Sequence, residues 1–255
     1  MKSMIFAAGL GTRLKPITDT MPKALVPVCG KPLLEHVVMK LKAAGIEGAV
    51  VTVHHFADML ESWVADHCGL FPMEVSDERT RLLETGGAVL HARKYLDGCG
   101  SFLIHNVDIF SNADLGWFAS NVKPEAVATL LVSGRKSSRS FLFDPSDMRL
   151  VGWKNNSSGE CIMADEGISP DDCIAYAFSG IHIMSDTVFG LMEEYVKTKE
   201  IPSEGTAGAA FPIRDFYLWA AVRKPIYGVV AQDLKLLDVG KLDSIDAAEN
   251  FISTL

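Results

Sequence analysis

Residues 4–18 read MIFAAGLGTRLKPIT. An unbroken apolar run, Met4-Ile5-Phe6-Ala7-Ala8, ends at Gly9-Leu10-Gly11, and Arg13 and Lys15 follow within four residues of the second glycine. A continuous apolar run of this length reads as a strand buried on both faces, as in a parallel sheet. A glycine turn at the end of such a strand is a common anion cradle, because backbone N–H groups converge where no Cβ intrudes. Ligands of parallel sheets bind at the carboxyl ends of the strands. Gly9, Gly11, Thr12 and Arg13 fall at that edge, and Arg13 adds a planar, permanently charged fork suited to phosphate. Two phosphate loops are excluded: G-x-G-x-x-G needs glycine at position 14, which is Leu14, and the spacing of G-x-x-x-x-G-K-[ST] is absent. Taken alone, G-x-G is also an ordinary tight turn.

Outward from this stretch the pattern is regular. Pro32-Leu33 opens a helix in which Leu33, Leu34, Val37, Val38, Leu41 and Ala44 recur at helical spacing, and Gly45 closes it. Residues 49–53 form a second strand, Met59, Leu60, Trp63 and Val64 mark a second helix, and 73–75 form a third strand. A helix over about 87–95 leads to a strand at 102–105. This alternation predicts an α/β fold, a parallel sheet with helices on both faces. Strands at 126–132, 140–143, 150–154, 175–178, 225–230 and 235–237, with helices at 188–196, 213–222 and 243–251, predict that the second half adds mixed strands and helices to the same sheet. There is no internal repeat and no linker long enough to divide residues 1–255 into two domains. The small-residue loop 203–210, Ser-Glu-Gly-Thr-Ala-Gly-Ala-Ala, is expected to be mobile.

Composition narrows the function. With 48% apolar and 22% charged residues the chain is an ordinary globular one. A net charge of -8 excludes general binding to nucleic acid or anionic membrane, while leaving local cations free to hold an anionic ligand. The five cysteines are odd in number and form no C-x-x-C pair, which speaks for free thiols in a reducing cytoplasm. The run at 4–8 is too short for a signal peptide or a membrane span, so a cytoplasmic protein is expected.

GLGTRLKPIT (9–18) followed by MPKALVPVCGKPLLEHV (21–37) resembles the signature of sugar nucleotidyltransferases, also called NDP-sugar pyrophosphorylases. The likeness continues through LLETGGAVL (82–90), FLIHNVDIF (102–110), AFSGIHIM (177–184) and LLDVGKLDSIDAAE (236–249). LLETGG and RLVGWKN (149–155) make it most similar to N-acetylmuramate-1-phosphate uridylyltransferases, with mannose-1-phosphate guanylyltransferase-like enzymes next. The resemblance implies a Rossmann-like three-layer α/β/α fold with a mostly parallel mixed sheet, in one catalytic domain over 1–255. The left-handed β-helix of some relatives is not expected, because no hexapeptide repeat occurs.

The implied reaction joins a nucleoside triphosphate to a sugar 1-phosphate. A phosphate oxygen of the sugar attacks the α-phosphorus in line and pyrophosphate leaves. The nucleophile is already an anion, so cations, backbone donors, Mg2+ and positioning replace a general base. By resemblance Gly11, Thr12 and Arg13 cradle the triphosphate, Arg13 holds the β- and γ-phosphates, and Lys23 reaches the α-phosphate and the attacking phosphate. Asp108 follows a buried strand and Asp238 sits in a similar context near the other end. Each alone reads as a helix cap or turn aspartate; together they suit octahedral Mg2+, with Asp108 catalytic alongside Arg13 and Lys23.

Thr85, Gly86 and Gly87 stand where the family meets the base, with Ala7, Ala8 and Gly9 as the opposite wall. His55 either contacts the base or closes the pocket. On the sugar side the Glu-Lys-Pro motif of many relatives is missing, and the comparable stretch is Gly152-Trp153-Lys154-Asn155-Asn156. Asn106, Lys154 and Gly180 are the sugar-binding candidates, and Ser138 and Arg139 either contact substrate or begin a strand. The expected partners are small molecules, namely the triphosphate and the sugar 1-phosphate; oligomeric state is not readable. UTP with N-acetylmuramate 1-phosphate, in cell-wall recycling, is the leading pair. Alternatives are GTP with a mannose or heptose 1-phosphate, CTP with phosphocholine, or a catalytically silent nucleotide-sugar sensor.

Overall fold

The computed structural model describes residues 1–203 and 208–252. In chain order the strands and helices are β1 (Lys2–Phe6), β2 (Pro27–Val28), β3 (Lys31–Pro32), α1 (Leu33–Ala43), β4 (Ala49–Val53), α2 (Ala57–His67), β5 (Met73–Asp77), α3 (Glu84–His91), α4 (Arg93–Leu96), β6 (Ser101–Asn106) and β7 (Ile109–Ser111). There follow α5 (Leu115–Ser120), β8 (Ala128–Ser133), β9 (Arg139–Phe143), β10 (Leu150–Asn155), β11 (Cys161–Met163), β12 (Ile174–Ser185), α6 (Val188–Thr198), α7 (Ile213–Ala221), β13 (Ile226–Val230), β14 (Leu236–Asp238) and α8 (Asp243–Ile252). Positions 204–207 of the loop expected to be mobile lie outside the described residues.

One ten-stranded mixed sheet runs β11-β10-β9-β12-β6-β1-β4-β5, with β8 and β13 branching from β12. The β6-β1-β4-β5 segment is parallel, as its apolar runs predict, and β4 is buried along its whole length. The strands β9, β10, β11 and β12 pair antiparallel. Two apolar clusters lie on the two faces. One packs α3, α6 and α7 side chains such as Val89, Phe189 and Phe216 on Met4, Phe102 and Ile104. The other packs Leu34, Val38, Leu60 and Phe118 on Ile5, Val51 and Leu103. Ile5 and Met4 therefore point to opposite faces, the period-two alternation that makes three layers from one sheet.

The chain leaves β1 for β4 on one side and later fills the other side with β6. The carboxyl ends of β1 and β6 thus bound the switch point where parallel sheets open a crevice. Some boundaries differ from the sequence reading. β1 stops at Phe6, because the amides of Ala7 and Ala8 both turn to the hydroxyl of Thr52, at 2.9 and 3.1 Å. The helix expected over 87–95 begins at Glu84 and divides into α3 and α4. The strand expected at 175–178 runs on to Ser185 through a register break between Phe178 and His182, so one strand serves both β9 and β6. β7 was not expected, and it pairs with β14.

Candidate active site

The glycine turn is built around Gly11, which has φ +63°. A Cβ there would lie 2.9 Å from Thr18 Cγ2 and 3.0 Å from Lys23 Cβ, so only glycine lets the turn close against Lys23. Thr18 Oγ1 and the Leu14 amide both donate to the Gly11 carbonyl at 2.8 Å. Leu14 is buried and anchors the single 3-10 turn Thr12–Leu14, leaving Thr12 and Arg13 exposed. Gly9 also faces the cleft.

Lys23 is only 9% exposed and forms an ion pair with Asp108. It is delivered by a further 3-10 turn, Lys23–Leu25, after Pro22. Asp108 lies two residues beyond β6, and the antiparallel pairing of β7 with β14 sets Asp238 opposite Ile109. The two aspartates, far apart in sequence, are brought to one edge. The Asp238 carboxyl is held above the usual carboxylate range, first by lost solvation and then by the like charge of Asp108; Lys23, Arg13 and Arg135 pull the other way. The residue as a whole stays exposed, so the site is open to solvent at this point. Arg13 completes the group: a Cβ on Gly240 would lie 2.6 Å from both an Arg13 terminal nitrogen and Asp238 Oδ1.

Among the described residues no cluster of three or more His, Cys, Asp or Glu is assembled for a metal. The Asp108–Asp238 pair still fits a hard divalent cation. Lost solvation and then the like charge of Asp108 raise Asp238, both residues are oxygen donors, and an open edge suits an ion that keeps its waters and takes substrate phosphates as ligands.

Behind these charges lies a cavity of about 270 Å³ lined by Phe6, Ala7, Ala8, Gly9, Lys23, Thr52, Glu78, Glu84, Thr85, Asn106 and Asp108, among others. The structure places the remaining candidates as follows. Ala7 and Ala8 form a wall, but their amides are committed to Thr52. Gly86 and Gly87 do not face the cavity: both amides donate to the Phe211 carbonyl, at 2.8 and 3.2 Å, and added Cβ atoms would strike the Phe211 ring at 2.4 Å and the Ala209 carbonyl at 2.0 Å. They are glycines because α3 packs against the segment entering α7. Thr85 lines the cavity, yet its hydroxyl accepts the Ile213 amide at 2.9 Å. His55 is exposed, does not line the cavity, and sets its ring against Phe56 at a 52° tilt. Gly180, at φ +78°, makes room for Asn106, whose Nδ2 would be 2.9 Å from a Cβ, rather than for a ligand; Asn106 itself faces the cleft. Lys154 is exposed on β10, where its neighbour Trp153 is the buried residue.

Three residues escaped the sequence reading. Glu78 follows β5 and is 2% exposed; Oε2 accepts the Leu83 amide at 3.3 Å, while Oε1 has no partner among the described residues. Burial raises its carboxyl to about 7. The edge-of-sheet rule that singled out Asp108 points to it equally, since it also follows a parallel strand. Thr52 is the acceptor that ends β1. Arg135, after β8, faces Asp238 and donates to the Phe178 carbonyl at 2.7 Å, and burial lowers its pKa. Beneath the site His105 and His182 are fully buried and held neutral by lost solvation, at about 4 and about 3.

The sequence profile described as Nucleotidyl transferase matches residues 2–141, more than half of the chain. Over 109 residues the chain is 48% identical to the N-acetylmuramate alpha-1-phosphate uridylyltransferase of Caulobacter vibrioides, covering 42% of this chain and 45% of that protein. Over 118 residues it is 33% identical to mannose-1-phosphate guanylyltransferase 1 of Arabidopsis thaliana, covering 45% and 33%. The matched part thus spans less than half the length of these curated relatives. Among solved structures, HddC from Yersinia pseudotuberculosis superposes with a TM-score of 0.73 at 20% identity, over 98% of this chain and 99% of that one. The inositol-1-phosphate CTP transferase of T. maritima gives 0.75 at 15%, over 99% and 94%. At these identities the structures share the fold. No helix among the described residues is long and apolar enough to cross a membrane. With its family profile covering the glycine turn, Lys23 and Asp108, the chain belongs to the nucleotidyl transferase family.

Proposed function

We propose that the protein transfers a nucleotidyl group from a nucleoside triphosphate to a sugar 1-phosphate, and that the pair is UTP and N-acetylmuramate 1-phosphate, in cytoplasmic recycling of cell-wall sugar. The observation that carries the reading is the convergence of Arg13, Lys23, Asp108 and Asp238 at the edge of β1 and β6. The named relative at 48% identity supports the choice of pair.

Two polyanions must meet, so the work of the site is charge neutralisation and alignment. The Gly11 turn presents Arg13 to the β- and γ-phosphates, where its fork stabilises the departing pyrophosphate. Lys23 serves the α-phosphate and the attacking phosphate oxygen. Its near-burial strengthens that interaction relative to water, and its pairing with Asp108 holds the ammonium in place before substrate arrives. Asp108 and Asp238 would hold Mg2+. Bound there, the ion supplies Lewis-acid neutralisation of phosphate charge. No side chain is asked to take a proton. The cavity bounded by Ala8, Thr52, Glu78 and Thr85 takes the base.

A matrix of four triphosphates against sugar 1-phosphates, read by pyrophosphate release with Mg2+ present, tests this. UTP with N-acetylmuramate 1-phosphate is the expected strongest cell. Strongest turnover with GTP and mannose 1-phosphate would replace the pair but keep the reaction; silence across the matrix would leave a nucleotide-sugar sensor.

A further inference from the structure

Beside the cleft lies a second pocket of about 380 Å³, with Phe141, Trp153 and Phe178 as its aromatic walls and Arg139 and Arg214 among its polar lining. It adjoins the first cavity on one side and the aspartate pair on another. Thr85, which lines the first, accepts the amide of Ile213, which lines the second. Arg135, which faces Asp238, donates to the carbonyl of Phe178.

We propose that this pocket selects an acceptor sugar phosphate carrying a further carboxylate, and that Arg139 and Arg214 read that group. The inference rests on the nucleotidyl-transfer reading above and adds how the acceptor is chosen. The charge pattern carries it. In a chain of net charge -8, residues 134–143 hold Arg135, Lys136 and Arg139 and no acid. Arg135 looks toward Asp238, but Arg139 lines the second pocket and makes no ion pair among the described residues. Its backbone is fixed: the Asn156 amide donates to Ser138 O at 2.8 Å, and the Asn156 side chain to Ser137 O at 2.9 Å and Ser140 Oγ at 2.8 Å. Arg214 is aimed as well. Its guanidinium lies 4.6 Å over the Trp153 ring, and Nε and Nη2 are held by Asp215 at 2.7 and 2.6 Å, leaving Nη1 without a protein partner among the described residues.

The free Nη1 of Arg214 beside the unpaired guanidinium of Arg139 can receive a carboxylate. The phosphate of the acceptor has its own cations at the cleft, so this pair is surplus for an uncharged sugar. The aromatic walls suit the apolar face of a pyranose ring. N-acetylmuramate 1-phosphate carries such a carboxylate on its lactyl ether; N-acetylglucosamine 1-phosphate lacks it.

The test measures kcat and KM with UTP for both acceptors, in the full-length protein and in the Arg139→Met, Arg139→Lys and Arg214→Met variants. Wild type should prefer N-acetylmuramate 1-phosphate. Arg139→Met should raise KM for it tenfold or more, move KM for UTP and for the uncharged acceptor far less, and draw the ratio of kcat/KM values toward unity. Arg139→Lys should recover part of the ratio, which loss of packing alone would not produce. Arg139 is exposed, so its variants keep the fold where Arg214→Met, which also loses the Trp153 contact, fails to. An acceptor ratio unaltered by Arg139→Met, or equal use of both acceptors by wild type, would overturn the carboxylate pocket and leave nucleotidyl transfer standing. Absence of pyrophosphate from wild type with every acceptor and triphosphate would overturn the underlying reading instead.

Discussion

The amide of Val239 donates to the carbonyl of Asp108 at 2.8 Å, and that bond docks the β14 segment beside the end of β6. Asp238 owes its place to it. The bond holds the main chains of the two aspartates side by side. Asp108→Asn and Asp238→Asn are each expected to lower kcat by about 10²–10³-fold. Neutralising Asp238 removes a like-charge contact, so its thermal midpoint should not fall. Chelation should abolish turnover without shifting the far-ultraviolet circular dichroism, and added Mg2+ should restore it.

Gly240→Ala separates binding from folding. The new Cβ would press on the ends of two side chains, Arg13 and Asp238, at 2.6 Å. Side-chain ends move cheaply, so the fold should survive, while displacement of Arg13 should raise KM for the triphosphate about tenfold, equivalent to roughly 1.4 kcal/mol. Gly87→Ala would instead meet the Ala209 carbonyl at 2.0 Å, which is backbone, and should cost about 3 kcal/mol or more in urea unfolding.

Thr52→Val leaves the Ala7 and Ala8 amides without their shared acceptor. A loss of about 2 kcal/mol in unfolding free energy is expected, together with a weaker triphosphate complex, since the turn carrying Arg13 grows from these residues. Equilibrium unfolding and isothermal titration with the triphosphate check the two effects separately.

Stability should peak near neutral pH. Glu78 titrates at about 7 in the fold against 4.5 when unfolded, so the native state keeps a proton that the unfolded chain has released. Its contribution is full below 4.5 and is lost as pH rises to 7, a change of the order of 3 kcal/mol. His105 and His182, at about 4 and about 3 against 6.5, act oppositely: the unfolded chain binds protons first, and stability falls as pH drops below 6.5. Thermal midpoints across pH 4–9 should rise from 4 to near 7, because two histidines outweigh one carboxyl over that window, and Glu78→Gln should steepen the rise between 5 and 7.

Much of this was legible in the chain itself. Continuous apolar runs at 49–53 and 102–105 fixed parallel strands, and the spacing of Leu33, Leu34, Val37, Val38 and Leu41 fixed α1, because burial on two faces and on one stripe leave distinct periods. Placing Asp108 at the carboxyl edge followed from its ending an apolar run, but the strand before Asp238 was expected in the main sheet and instead pairs with β7 in a separate two-stranded one. What was not legible depends on contacts between distant segments. Nothing local to Gly86 and Gly87 reveals Phe211 and Ala209 lying against them, so close packing looked like ligand access. Lys154 and Trp153 alternate across β10, and which one faces inward is set by β9, β11 and α7 rather than by either residue. The three-residue strand β7 is too short to announce a period of its own.

With the amides of Ala7, Ala8, Gly86 and Gly87 already engaged inside the protein, little main chain is left on this wall to interrogate a base. On the proposed reading that task passes to Glu78, Glu84 and Thr85, whose side chains are exchangeable one codon at a time. The phosphate-handling end is bound into the architecture, whereas nucleotide preference rests on replaceable parts. Evolutionary drift among triphosphates therefore requires only point changes here, with the scaffold and its catalytic charges carried along intact.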